Sequence, residues 1–193
     1  MITSAQFFHH PETFRTQSGE SLPGFTLAYE SYGELNADRS NAVLICHALT
    51  GDHFVAETHP VTGKSGWWEM LVGPGKPVDT DRYFVVSVNA LGSAHGSSGP
   101  NCTDPRTGKP YGPTFPEITM RDMVASQKLL VDSLGLRSVV AVVGPSMGGF
   151  QSFQWAASYP GFMKGIAASL TDQDMADLGA FYETHGGAAG NSA

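Results

Sequence analysis

The stretch from residue 139 to residue 158, VVAVVGPSMGGFQSFQWAAS, places the strongest constraint on what this chain can fold into. The β-branched run 139–143 predicts a buried strand, and a helix-like segment follows Gly144-Pro145-Ser146-Met147-Gly148 at once. A G-x-S-x-G turn between a strand and a helix holds its serine in a strained conformation with the hydroxyl exposed. The pattern therefore predicts Ser146 as a nucleophile. A tight turn that needs small residues only for packing is the alternative interpretation.

Two backbone amides are expected to face the place where negative charge develops during attack by Ser146. The helix that follows the turn points its free N–H groups there, so the Met147 N–H is one predicted oxyanion donor. The apolar run 41–46 predicts a central strand that ends in the loop 47–51. In proteins with this kind of turn the second donor comes from the loop after the third strand, which predicts the Leu49 N–H.

The remaining pattern is that of alternating strands and helices. Segments 13–17 and 25–32 predict an antiparallel pair at a sheet edge, and 83–88 predicts a further strand. Thr119 and Asp122 predict the start of a helix that Gly135 ends. We interpret 52–80 as a long excursion with a short helix, and 165–169 as one more strand.

Composition favours a single soluble domain over residues 1–193, with a flexible Gly-rich tail at 186–193. The net charge of −7 argues against nucleic acid and anionic membranes as partners. The first residues have no basic, apolar leader pattern, and no run reaches the roughly 18 apolar residues of a membrane span. We therefore expect a cytoplasmic protein with two unpaired cysteines, Cys46 and Cys102.

Several polar signals do not fit a cofactor or metal site. The segment 63–65 (GKS) resembles part of a phosphate-binding loop, but it lacks the first glycine and the strand-to-helix context. Histidines 47, 53 and 59 match no common zinc spacing. His95 follows a predicted strand and is interpreted as a loop histidine, with a pocket-facing role as the alternative. We expect no bound cofactor and no metal.

Taken together, the chain closely resembles the homoserine O-acyltransferases of the α/β-hydrolase superfamily, a mostly parallel sheet with an antiparallel N-terminal edge. The matching segments run in order along the chain: HALTGD at 47–52, GWW at 66–68, GPGK at 73–76, DTDRYF at 79–84, GP at 99–100, TGKPYG at 107–112, RDM at 121–123 and SMGG at 146–149. So many ordered matches are far more specific than the serine turn alone.

The resemblance implies that Ser146 takes an acyl group from acetyl-CoA or succinyl-CoA and passes it to a hydroxyl amino acid such as homoserine, in a ping-pong reaction on the way to methionine. It implies Leu49 and Met147 N–H as the oxyanion hole and a homodimer for full-length members. One loop departs from the family, because Ser93-Ala-His-Gly96 stands where Gly-Cys-Lys-Gly is common. This departure leaves the acyl donor and the acceptor open.

The family is also much longer than this chain, and it supplies the acid and the histidine of the catalytic triad after the serine. Only 47 residues follow Ser146 here, and within them Asp172 and His185 are the candidates for acid and base. The strands that normally deliver the histidine are not in the sequence, so we expect a shortened member that ends before the lid and the last strands and from which the acid and base of the triad are missing. An ester hydrolase and a non-catalytic member are the alternatives.

Overall fold

A five-stranded sheet organises the residues that the computed structural model describes, which are 6–60 and 62–163. Its strands are β1 (Gln6–His10), β2 (Phe25–Tyr32), β3 (Ala42–Cys46), β4 (Phe84–Val88) and β5 (Val139–Val143), in the spatial order β1-β2-β4-β3-β5. β3 pairs in parallel with β4 and β5, whereas β2 runs antiparallel to β1 and β4. The predicted mixed sheet with its antiparallel N-terminal edge is confirmed.

The central strands are apolar because both of their faces are covered. All five residues of β3 are buried, and so are the last four of β4. Strands buried on both sides carry continuous rather than alternating apolar runs, which is why the sequence identified them. The carboxyl ends of β3, β4 and β5 meet at one edge of the sheet, where α/β proteins place their ligand sites.

The antiparallel edge differs from the prediction in one partner. The strand paired with β2 is β1, in the register Phe8↔Leu27, and not the segment 13–17. Phe14–Arg15 instead pairs with Ser21–Leu22 in a separate two-residue ribbon. Phe14 packs edge-on against Phe25 of β2, with ring centroids 5.1 Å apart, so this segment contacts the sheet through its side chain and does not extend it. β1 was missed because its sequence, QFFHH, does not alternate.

The predicted short helix between residues 52 and 80 is wrong for the part of the chain that the structure describes. The segment consists of turns and a ribbon of Val72–Gly73 with Val78–Asp79. Gly66 lies against the backbone of Val55, where a Cβ would come within 2.4 Å of the carbonyl carbon. This close contact holds two parts of the excursion together through glycine, without a helix.

The helices are α1 (Met120–Ser133), α2 (Met147–Ser158) and the short α3 (Pro160–Met163). The predicted capping box of α1 is confirmed: the Asp122 N–H donates to Thr119 Oγ1, and the Thr119 N–H donates to Asp122 Oδ2. Gly135, with φ of +69°, follows the helix as expected for a C-terminal glycine. Minor elements are a 3₁₀ turn, Gly112–Thr114, and a ribbon of Thr103–Asp104 with Lys109–Pro110.

Two apolar clusters cover the two faces of the sheet. The larger one joins β2, β3 and β4 to α1 and α2, with Leu44, Leu130 and Trp155 at its centre. The smaller one lies under the excursion and contains Ile45, Val55 and Val85. Among the described residues, none of the helices has the length and apolar character needed to cross a membrane.

Several predictions concern residues outside the described ranges. These are the strand at 165–169, the flexible tail at 186–193, and the candidate acid and base Asp172 and His185. They remain predictions, as does the single domain over 1–193.

Candidate active site

Ser146 occupies the turn between β5 and α2 in a backbone conformation that L-residues rarely adopt. Its φ is +51° and its ψ is −118°, and the residue is exposed. Among the described residues, Arg39 is the one other non-glycine residue with positive φ. Such conformations cost about 1–3 kcal/mol and persist where the surrounding structure enforces them. The strained, exposed serine that the sequence predicts is therefore present.

The two flanking glycines explain why the turn can form. A Cβ added to Gly144 would lie 2.2 Å from the Cys46 carbonyl oxygen, and one added to Gly148 would lie 2.1 Å from the same atom. The turn therefore rests directly on the end of β3, closer than any side chain allows. This contact places Ser146 beside the loop that leaves β3.

A buried polar network fixes α2 against α1, and sequence reasoning missed it. Trp155 Nε1 donates to Gln127 Oε1 at 2.8 Å, and Gln127 Nε2 donates to Gln151 Oε1 at 2.5 Å. All three side chains are buried. Gln127 interrupts the apolar face of α1 between Val124 and Val131. This polar residue on an apolar face was the sequence signal for a buried polar contact. The network holds the helix whose first amide follows Ser146.

Leu49 and Met147, the two predicted amide donors, line the same cavity. We call it the elbow cavity; its volume is about 340 Å³. It is lined by His47, Leu49, Ala90, Leu91, Gly92, Ser93, Pro100, Gly112, Pro113, Phe115, Pro116, Ile118, Met123 and Met147. Neither the Leu49 nor the Met147 amide donates a hydrogen bond to another described residue.

His47 holds the loop 47–51 in place through both of its ring nitrogens. The Ala90 N–H donates to Nε2 at 2.9 Å, which leaves the proton on Nδ1 to donate to the Ala48 carbonyl at 2.6 Å. Burial lowers the pKa of His47, so the ring is neutral at pH 7. His47 therefore positions the backbone of Leu49 and has no free nitrogen to act as a base.

The loop after β4 is tied to β2 by a second buried network. Ser97 Oγ accepts a hydrogen bond from the Ala28 N–H at 3.0 Å and donates to the Asn89 carbonyl at 2.6 Å. Asn89 Oδ1 accepts from the Ser97 N–H at 3.3 Å. These bonds fix the loop 89–97, including Ala90, the partner of His47. The departure from the family at 93–96 therefore lies on a rigid support.

A larger cavity of about 860 Å³ is lined by other residues of the loop 47–51, and we call it the histidine cavity. It is lined by Phe7, Ala28, Ala48, Thr50, Gly51, Asp52, His53, Phe54, His59, Thr62, Lys64, Ser65, Trp67, Ala94, His95 and Gly96. His95 is exposed and lines this cavity, and it is not among the residues that line the elbow cavity. Trp67 also lines the histidine cavity, and its Nε1 donates to the Asp52 carbonyl.

His53 is the most unusual side chain of this second cavity. It is 2% exposed, and neither ring nitrogen has a hydrogen-bond partner among the described residues. Burial lowers the pKa of His53 to about 4, despite the nearby charge of Asp52. Asp52 also lies 3.5 Å from His59. His53 is therefore neutral at physiological pH.

Glu30 is a second buried titratable group on this face of the sheet. It is 1% exposed, and it accepts a hydrogen bond from the Tyr32 hydroxyl. Burial is the main cause that raises the pKa of Glu30 to about 7. Ser87 is its direct partner in the β2–β4 ladder. Glu30 Oε1 and Ser87 Oγ both lack a hydrogen-bond partner within the described chain.

The cysteines are both free, as predicted. Cys46 is fully buried beneath the serine turn, and burial raises the pKa of its thiol to about 12. A thiol with that pKa is not a nucleophile at neutral pH. Among the described residues, no cluster of three or more His, Cys, Asp or Glu side chains is arranged to hold a metal ion.

Comparison with known proteins gives a family and a set of similar sequences. The family described as alpha/beta hydrolase fold matches residues 41–184. The chain is 48% identical over 183 residues to a homoserine O-acetyltransferase of Methanosalsum zhilinae, covering 94% of this chain and 37% of the relative. It is 54% identical over 160 residues to a homoserine O-succinyltransferase of Alkalilimnicola ehrlichii, covering 82% of this chain and 42% of the relative.

Among solved structures, the fold is similar to that of esterase E22. The TM-score is 0.76 at 40% identity, and the match covers 82% of this chain and 45% of that one. This chain thus spans less than half the length of the proteins that it matches.

Proposed function

Because the chain belongs to the α/β-hydrolase fold family, we propose that it serves acyl transfer from an acyl-CoA thioester to the hydroxyl of an amino acid such as homoserine, through an ester on Ser146. The observation that carries this proposal is the strained, exposed Ser146 directly before the Met147 amide, which lines one cavity together with Leu49. The homoserine O-acyltransferase names of the relatives support the reaction class.

In the first half-reaction, Ser146 Oγ attacks the thioester carbonyl carbon and loses its proton to a base. The carbonyl oxygen becomes an oxyanion, and the Leu49 and Met147 amides would donate hydrogen bonds to it. Collapse of this intermediate breaks the C–S bond and releases CoA as a thiol. Removing one such donor costs other enzymes about 10²–10³ in rate.

In the second half-reaction, the acceptor hydroxyl attacks the ester on Ser146, and a second oxyanion collapses to release the serine. The base must lie within hydrogen-bond reach of Ser146. His47 does not fit this role because both of its ring nitrogens are engaged. Asp172 and His185, the candidates for acid and base in the sequence, lie outside the described residues.

Ester hydrolysis is a second candidate, and the similarity to esterase E22 favours it. Hydrolysis differs only in the acceptor, because water attacks the same acyl-enzyme. Transfer requires that water be kept away from the ester and that the acceptor oxygen be held in line. The two functions therefore share Ser146 and differ in how the ester is consumed.

The test is to incubate the chain with acetyl-CoA or succinyl-CoA and to measure its intact mass. We expect an acyl adduct on Ser146 that Ser146→Ala abolishes and Ser18→Ala, an exposed serine outside the lining of the elbow cavity, retains. Homoserine should then remove the adduct with formation of the O-acyl amino acid. Loss of the adduct to water alone would favour hydrolysis, and no adduct in any condition would contradict both functions.

A further inference from the structure

The elbow cavity, which Met147 lines directly after the proposed nucleophile, has an uncharged lining. Its lining residues include no Lys, Arg, Asp or Glu, whereas the histidine cavity contains Asp52 and Lys64. The polar side chains of the elbow cavity are His47 and Ser93. His47 is neutral, with both nitrogens hydrogen-bonded inside the protein. The cavity thus offers a ligand no charged partner from the described residues.

From this lining we infer that the elbow cavity binds the acyl chain of the donor and selects short neutral acyl groups over succinyl, with Met123 setting the permitted chain length. The inference rests on the proposed function and adds the substrate class to it. A buried carboxylate without a charged partner is costly, and the Leu49 and Met147 amides would be taken by the carbonyl oxygen of the acyl group, so the terminal carboxylate of a succinyl group is poorly tolerated here. An uncharged chain of similar length replaces water on an apolar wall and binds favourably.

The volume and the position of the cavity agree with this assignment. About 340 Å³ is near the lower limit of ligand pockets, which measure roughly 300–1,000 Å³, so the cavity suits one end of a donor molecule. Met147, whose amide would bind the oxyanion, lines the same space. A carbonyl held at that amide therefore has room for its alkyl chain within the cavity.

Four other backbone amides beside the cavity are engaged within the protein. At the first turn of α1, the amides of Asp122 and Met123 donate to Thr119. In the loop after β4, the amides of Gly92 and Ser93 donate to the carbonyls of Ser98 and Ala90. These amides are therefore not available to a carboxylate.

Met123 forms the wall contributed by α1, and its position is fixed. The adjacent Asp122 accepts a hydrogen bond from the Gln17 N–H at 2.8 Å and also caps the helix. The methionine side chain itself is flexible and apolar, so its length limits the depth of the cavity without adding a polar contact. Shortening this side chain should lengthen the acyl chain that fits.

The experiment uses the methionine methyl groups as reporters, because Met123 and Met147 line the cavity while Met70 is exposed and Met120 lies outside the lining. The chain is labelled with ¹³C-methyl methionine and titrated with butyramide, which is neutral, and with succinamate, which has the same number of carbons and a terminal carboxylate. We expect butyramide to shift the Met123 and Met147 signals to saturation and leave those of Met70 and Met120 unchanged. Succinamate should bind at least about tenfold more weakly.

Equal or tighter binding of succinamate, or no response of the two cavity methyls to butyramide, would overturn the inference. A second measurement tests Met123 with Met147 as the reporter: Met123→Ala should bind hexanamide more tightly than butyramide, the reverse of the wild-type order. Met120→Ala is the matched control on the same helix and should keep the wild-type order. If Met123→Ala still binds butyramide more tightly than hexanamide, Met123 does not set the permitted acyl-chain length.

The inference and the proposed function fail in different ways. If the cavity methyls respond as expected but Ser146 is never acylated, the assignment of the elbow cavity as the acyl-chain site is supported and the proposed acyl transfer is contradicted. If Ser146 is acylated by succinyl-CoA as readily as by butyryl-CoA, the chemistry stands and the selectivity falls.

Discussion

The elbow cavity and the histidine cavity are lined by alternate residues of the loop 47–51, and they differ in what makes them polar. On the elbow side, the groups available to a ligand are backbone amides on an apolar wall. On the other side they are titratable side chains, with His53 buried among them and Glu30 buried beneath the same face of the sheet. One loop thus separates a site defined by backbone geometry from a region whose charges depend on pH.

The two cavities therefore depend on different properties of the fold, one on backbone geometry and the other on the charge state of side chains. Backbone donors do not titrate, so the elbow side should be insensitive to pH but very sensitive to backbone shifts. The histidine side tolerates small shifts but must keep two buried groups uncharged. We therefore expect substitutions on the two sides to have different signatures, one in overall stability and the other in its pH dependence.

The largest effect should come from closing the contact that positions the elbow. In Gly148→Ala the new Cβ would lie 2.1 Å from the Cys46 carbonyl oxygen and 2.8 Å from its carbon, both of them backbone atoms of β3. We expect a loss of about 3 kcal/mol or more in the free energy of unfolding. Chemical denaturation at pH 7 measures it.

Gly161→Ala is the matched control, since its Cβ meets no atom within 4 Å. It should leave stability unchanged or raise it by up to about 1 kcal/mol. Equal effects of the two alanines would mean that the turn does not depend on its close approach to β3.

The second largest effect should come from Glu30→Gln. The pKa of Glu30 is about 7 in the folded state against an ordinary value of 4.5, so its ionisation opposes folding. The contribution of the protonated carboxyl to stability is complete below pH 4.5 and is lost as the pH rises through 7. The glutamine variant should therefore be more stable than the wild type at pH 8, by on the order of 3 kcal/mol.

Thermal unfolding from pH 4 to pH 8 checks this expectation, with the exposed Glu34→Gln as the control. Glu34→Gln should keep the wild-type pH dependence, whereas Glu30→Gln should lose the decline above pH 4.5. A Glu30→Gln variant that is less stable at pH 8 would show that the ionised carboxylate has a stabilising partner.

A somewhat smaller effect, of opposite pH dependence, should follow from His53→Phe. The pKa of His53 is about 4 in the folded state against an ordinary 6.5, so protonation opposes folding. The contribution of the neutral His53 to stability is complete above pH 6.5 and is lost as the pH falls through 4. At pH 4.5 the phenylalanine variant should be more stable than the wild type by on the order of 2 kcal/mol.

The control is His95→Phe, at the exposed histidine of the same cavity, which should keep the wild-type decline in acid. The comparison is measured by denaturant unfolding at pH 4.5 and 7.5. If His53→Phe gains nothing at the lower pH, His53 is not held neutral, and the contrast between the two cavities weakens.

The elbow side could be predicted from the sequence largely because its determinants are local. Five consecutive residues around Ser146 specify the turn, and the glycines at 144 and 148 are required by a contact at the end of one strand. The Leu49 assignment, which rests on the order of the strands, remains a prediction. Local spacing is therefore sufficient where backbone geometry makes the site.

The other features depend on residues that are far apart in the chain. The Gln127–Gln151–Trp155 network joins two helices, and the burial of Glu30 and His53 depends on how the excursion covers the sheet. The pairing of β1 with β2, in place of the segment 13–17, was likewise decided by packing around Phe25. No local pattern records these contacts, so the sequence alone did not identify them.

The smallest effect should come from Ser146, and it tests whether the turn itself stores strain. At φ of +51° and ψ of −118° a Cβ is unfavourable, so Ser146→Gly should raise the free energy of unfolding by about 1 kcal/mol. Ser146→Ala keeps the Cβ and loses only an exposed hydroxyl, so its stability should stay within about 0.5 kcal/mol of the wild type. The difference between glycine and alanine at this position, measured by denaturant unfolding, isolates the backbone term. A glycine variant no more stable than the alanine variant would mean that the surrounding contacts do not force the serine into this conformation. The turn at Ser146 would then store no backbone strain.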